Sequence, residues 1–221
     1  MSRIGGAVMA FVAGYVFVNT LLRFDTTSSA QTGNLVRLGV RLANFEWEAL
    51  FVTATSIGGF MLGAGVIAHL FSRGGWLKAA PCALLPGALV FTDCLCEYVA
   101  TSNTSRSIVS SLAAFSMGGQ NVVTMRTESV GFNTSFFTGT SKRIGEAVEL
   151  FVSNRLRGKE LEEAKMMGLL WLSFVFGAGV GSTYLKSSSS SAQAWSLCPA
   201  AALQAAGLIW LQQVAAKRKL N

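Results

Sequence analysis

Six stretches of this chain are too long and too apolar to serve as strands or as half-buried helices of a water-facing domain. They are Ile4–Leu22, Ala49–Phe71, Ala79–Ala100, Ile108–Met125, Met166–Leu185 and Ala192–Val214. A bilayer hydrocarbon core of about 30 Å takes about 20 apolar residues in a helix. Helices also satisfy their own backbone polar groups there. The expected fold is therefore all-α, with six transmembrane helices. Composition agrees: 51% of residues are hydrophobic and 13% charged, against roughly 25% charged in a soluble domain, too few to dress a soluble surface. The connectors Arg73–Lys78, Thr101–Ser107 and Lys186–Ser191 are short and polar, so consecutive spans pair antiparallel, and the serine run from Ser187 to Ser191 reads as a flexible turn. The first run exceeds the roughly 7–15 apolar residues of a cleaved signal and reads as a span.

The net charge of +7 resides in the segments between and after the apolar runs. With the N-terminus on the cytosolic side, thirteen Lys and Arg fall on inner segments and five (Arg23, Arg37, Arg41, Arg106 and Lys186) on outer ones. By the positive-inside rule both termini are cytosolic. Trp47, Trp76, Trp195 and Trp210 lie near expected interfaces. Nucleic acid is not an expected partner, since no packed basic face forms. Membrane lipids, a small solute or ion, and a second copy of the chain are. Cys82, Cys94, Cys96 and Cys198 lack the paired spacing of a metal site, and the lone His69 lies near a span end. No phosphate loop, Ser-His-Asp set or zinc-protease helix occurs, so an enzyme, a cofactor and a metal are not expected.

The two halves resemble each other. Thr32-Gly33-Asn34-Leu35-Val36-Arg37-Leu38-Gly39 returns as Thr138-Gly139-Thr140-Ser141-Lys142-Arg143-Ile144-Gly145. The stripe Gly6, Ala10, Gly14 returns as Ser110, Ala114, Gly118, and Gly63-Ala64-Gly65-Val66 as Gly177-Ala178-Gly179-Val180. The spacing between matches widens only across connectors. Two repeats follow, residues 1–105 and 106–221, each with three spans and a short helix after the first. An odd number of crossings inverts the second repeat in the bilayer. Inverted repeats place a substrate path between the halves in secondary transporters. Gly59-x-x-x-Gly63 and Gly177-x-x-x-Gly181 allow close helix packing, within the chain or between copies.

The short helices are expected at about Thr32–Asn44 and Thr138–Asn154, each with a Thr as plausible N-cap. If they dip into the membrane, their N-termini with Arg37 and Arg143 favour an anion. If they lie flat at the interface, the arginines meet lipid phosphates. Inside the spans, Asp93 has no evident partner in the sequence and is either protonated or faces a watery cavity. Asn19, Gln120 and Asn121 are amides that bond a neighbouring helix or a ligand.

These residues bring the chain to a known family. Ala13-Gly14-Tyr15-Val16, Thr32-Gly33-Asn34, Met117-Gly118-Gly119-Gln120-Asn121 and Thr138-Gly139-Thr140, in this order, give a chain that resembles the YoaK-type integral membrane proteins over nearly its whole length. The resemblance implies the six-span architecture and no particular substrate. The family's acidic residue after the first-span glycine is here Phe17, with Asn19 nearby, so if that acid bears proton or cation coupling in relatives, this chain has lost it or moved it. The expected function is a small-solute transporter or channel, with Thr32, Gly33, Asn34, Thr138, Gly139, Thr140, Gln120, Asn121, Asp93 and Asn19 along the path. The alternative is a non-transporting membrane scaffold or accessory subunit.

Overall fold

The computed structural model describes residues 2–74, 78–99, 103–126, 137–153, 157–188, 193 and 195–218. Among them every regular element is helical: α1 (Ser2–Phe24), α2 (Gln31–Ala43), α3 (Trp47–Arg73), α4 (Pro81–Val99), α5 (Asn103–Arg126), α6 (Phe137–Val152), α7 (Gly158–Ser187) and α8 (Cys198–Arg218). By length and composition three described helices can cross a membrane: Arg3–Phe24 of α1, Trp47–Arg73 of α3 and Glu160–Ser187 of α7. The other three expected spans fall on α4, α5 and α8. The apolar stretch of α4, Pro81–Cys96, is shorter. In α5 and α8 the apolar runs are diluted by polar residues such as Ser116, Gln120 and Gln204, all of them buried between helices.

The long helix of the last run starts at Cys198. Pro199 in the first turn lacks an N–H that would have no helical partner there, so its position suits a helix start. The short helices lie within two residues of their expected bounds, but the capping expectation needs correction. Ala30, not Thr32, occupies the N-cap position of α2, with no side-chain cap bond. Thr32 and Gly33 are exposed in its first turn. The side chains of Thr138, Thr140 and Arg143, like residue 139 beyond its backbone, lie outside the described residues.

α2 is amphipathic with its faces reversed from those of a water-facing helix. Gln31, Asn34 and Arg41 are buried against the protein, while Leu35, Val36, Val40 and Leu42 are each more than half exposed. Arg41 donates to the Asp25 carboxylate at 2.5 Å, and Arg37 donates to the Asp25 carbonyl at 2.8 Å. The arginines thus turn toward the 25–30 turn, which leaves an apolar outer face suited to hydrocarbon.

Packing runs between distant parts of the chain. The most extensive contacts are α3 with α5 and α1 with α7; then α4 with α5, α8 with α1 and α4, α2 with α3, α6 with α7, and α1 with α5. α1, α4, α5 and α8 therefore form the centre, with α7 against α1 and α3 against α5. Leu89, Met117, Val16 and Leu197 fill one part of the core; Met9, Ile67, Leu85 and Leu208 fill another. Glycines set the spacing of the flanking pairs. A methyl group added at Gly14 would strike the Phe174 carbonyl, and one at Gly177 that of Phe11. On the other side, a methyl at Gly118 would strike Phe60 and one at Gly63 would strike Phe115. Backbones this close permit Cα–H···O contacts that a larger residue would abolish.

Candidate functional site

The polar residues of the four central helices form a seam through the apolar bundle. Its deeper part is an amide ladder. Gln120 in α5 donates from Nε2 to the Met9 carbonyl of α1 at 2.9 Å, and its Oε1 accepts from Gln204 of α8 at 2.8 Å. Gln204 also donates to the Ser116 hydroxyl at 3.0 Å, and that hydroxyl reaches the Leu85 carbonyl of α4 at 2.9 Å. Three side chains thus link four helices, each fully buried. In a low-dielectric interior such a network rigidifies and fixes register.

Toward the end that carries Arg23, the seam passes to a charged group. Asp93 of α4 is fully buried, and it is not unpartnered, which corrects the reading of its sequence neighbourhood. Arg23, from the last turn of α1, donates to Asp93 Oδ1 at 3.2 Å and to the Ser196 hydroxyl at 2.9 Å. The other carboxylate oxygen accepts the backbone N–H groups of Leu197 and Cys198, at 2.5 and 3.0 Å. Asp93 therefore caps the start of α8 from a different helix, where a negative charge meets the positive end of the helix dipole. Tyr15 closes the group by donating its hydroxyl to the Ser196 carbonyl at 2.8 Å.

A third cluster holds the turn between α1 and α2. Asn34 is fully buried. Its Oδ1 accepts from the Thr27 backbone N–H at 3.0 Å and from the hydroxyls of Thr26 and Thr27 at 3.1 and 2.9 Å. Its Nδ2 donates to the Thr27 carbonyl at 2.6 Å and to Gln31 at 3.0 Å. Ser56 of α3 donates to the same Thr27 carbonyl at 3.2 Å. Arg41 is bonded to Thr53 and to the Ala49 carbonyl of α3. Asn34 clamps the turn onto α3, and its amide is saturated by protein groups.

Two buried amides are less complete. Asn19 donates to the Tyr15 carbonyl at 3.0 Å, but its Oδ1 has no partner, and the Asn121 Oδ1 also has none. Buried polar atoms rarely stay unsatisfied without a water or ligand to serve them. Asn19 lies beside Gly181, where α1 meets α7, and Gly59 lies against Ser111, where α3 meets α5. Of the path residues named from sequence, the structure places Asp93, Asn19, Gln120 and Asn121 among the central and flanking helices. Asn34 belongs to the clamp, and Thr32 and Gly33 sit on the exposed side of α2. Arg37 is engaged by Asp25. Arg23, Ser116, Ser196 and Gln204 complete the seam; the sequence marks Arg23 only as an outer charge and does not single out the other three. The available signal was a polar residue at the end of, or inside, an otherwise apolar run.

Residues 5–210 match a family described as "Protein of unknown function (DUF1275)". No curated protein and no solved structure matches the chain.

Proposed function

Proceeding from the fact that the chain belongs to the DUF1275 family, we propose that it is a six-span integral membrane protein built from two inverted repeats, 1–105 and 106–221, which carries a small solute between them. One observation carries this reading. Exchanging α1–α4 for α5–α8 maps the helix packing onto itself: α1 with α7 becomes α5 with α3, α4 with α5 becomes α8 with α1, and α2 with α3 becomes α6 with α7. The correspondence extends to single residues. Gly14 on Phe174 answers Gly118 on Phe60, and Gly177 on Phe11 answers Gly63 on Phe115. These partners hold the registers in which the sequence repeats align. In such an arrangement the helices along the pseudo-twofold axis line the route. Here they are α1, α4, α5 and α8, the helices that hold the polar seam. The narrower YoaK-type likeness rests on the quoted motifs alone.

The two glycine-spaced pairs, α1 with α7 and α3 with α5, each take one helix from either repeat. Rocking of one pair against the other would open the seam alternately to the two sides. The orphan amide oxygens of Asn19 and Asn121 suit a bundle whose polar groups change partners. Saturation of Asn34 and Gln120 favours the second reading, a rigid scaffold or accessory subunit.

Uptake into liposomes carrying the purified protein tests the choice. The transport reading expects protein-dependent flux of at least one solute from a panel of small anions, cations and neutral metabolites. No flux for any solute, together with a stoichiometric partner on co-purification, would replace it with the scaffold.

A further inference from the structure

Two adjoining cavities open where α1 ends and α5 begins. The larger, about 540 Å³, has Arg41 and Arg106 on its wall but also Asp25, Glu46 and Glu48, so its cations are outnumbered. The smaller, about 350 Å³, is lined by the polar Arg23, Arg106 and Gln193 and by the apolar Leu22, Phe24 and Val109. Arg106 borders both. The charges of the smaller cavity do not cancel. Arg23 is matched by Asp93 at 3.2 Å. Arg106 makes one long hydrogen bond, 3.4 Å to the Arg23 carbonyl, and meets no carboxylate among the described residues. A half-buried guanidinium is thus left with most of its donors free at the mouth of the polar seam.

From this juxtaposition we infer that the smaller cavity is the entry site for a short-chain monocarboxylate, whose carboxylate pairs with Arg106 while its apolar body lies on Leu22, Phe24 and Val109. This deepens the transport reading and rests on it for the step beyond binding. A guanidinium with no ion-pair partner among the described residues can take one negative charge, and a planar carboxylate matches its fork. The apolar part of the wall selects against a bare inorganic anion, which would leave that surface wet. Pockets of this size and mixed character hold small molecules.

The test uses the full chain, first in detergent and then in liposomes, with butyrate as the probe. 1-Butanol, butylammonium, phosphate, chloride and an anionic phospholipid serve as comparators. Butyrate is expected to raise the unfolding temperature of the wild type, and Arg106→Gln to weaken its binding about tenfold or more, as loss of a charged hydrogen bond implies. Arg106→Lys should recover part of the affinity. Unliganded stability should be equal in the three proteins, because Arg106 holds only one long bond. A butyrate effect that survives Arg106→Gln, no butyrate effect, or an effect from phosphate, chloride or phospholipid alone would overturn the inference. In liposomes, Arg106-dependent binding without flux of any solute would sink the transport reading and keep the site. Flux of cations or neutral solutes that is indifferent to Arg106→Gln would do the reverse.

Discussion

Gly63 and Gly58 stand five residues apart on one helix, yet they answer to different physics. Gly63 is buried beneath the Phe115 carbonyl, whereas a methyl group at Gly58 would meet nothing. Gly63→Ala forces two helix backbones apart and should cost about 1–3 kcal/mol, the usual penalty of an overfilled core. Gly58→Ala should stay within about 0.5 kcal/mol. Reversible unfolding in detergent reads both, and equal costs would show that helix spacing does not depend on the glycine contacts. Asn34→Leu strands the Thr27 N–H inside the clamp and should lose about 1–3 kcal/mol for each buried group left unpaired. The glycine pairs were partly legible: Gly63 and Gly177 stand out in the sequence as matched small residues. Their counterparts were not, because the carbonyls of Phe115 and Phe11 become obstacles only once the helices cross.

At the scale of elements, α8 depends on a capping group that its own segment does not supply. Asp93→Ala removes the acceptor for the Leu197 and Cys198 N–H groups and strands Arg23. Breaking a buried pair in this way costs about 3–5 kcal/mol. Asp93→Asn, which keeps an acceptor but loses the charge, should cost less. Chemical unfolding followed by circular dichroism ranks the two, and a costlier asparagine would refute the capping role. Arg23 was counted in the sequence only as an outer charge, because its partner is distant along the chain and adjacent only in the fold. The reversed faces of α2 were hidden for a related reason. Periodicity reveals that Leu35, Leu38 and Leu42 share a side, but not which side meets the protein. A nitroxide at Val36→Cys should be relaxed more by oxygen than by a water-soluble nickel chelate, as it would be in hydrocarbon. Greater access to the chelate would instead place α2 in water.

At the scale of the whole molecule, the apolar runs foretold the helices, since twenty apolar residues leave few alternatives. The runs did not foretell that α5, among the least apolar of the expected spans, would lie at the centre. Its serines and amides face other helices, so it needs little apolar surface of its own. Nor did they foretell that each glycine-spaced pair takes one helix from either half. That pairing only makes a transport device if the two halves cross the membrane in opposite senses, and this orientation is open to direct measurement. In sealed, oriented vesicles of a cysteine-free variant, single cysteines at Gly33→Cys and Gly139→Cys would be probed with an impermeant maleimide. Labelling of residue 33 from the outside only and of residue 139 from the inside only is the predicted result. Both labelled from the same side would contradict the inverted repeat, and with it a route between the halves.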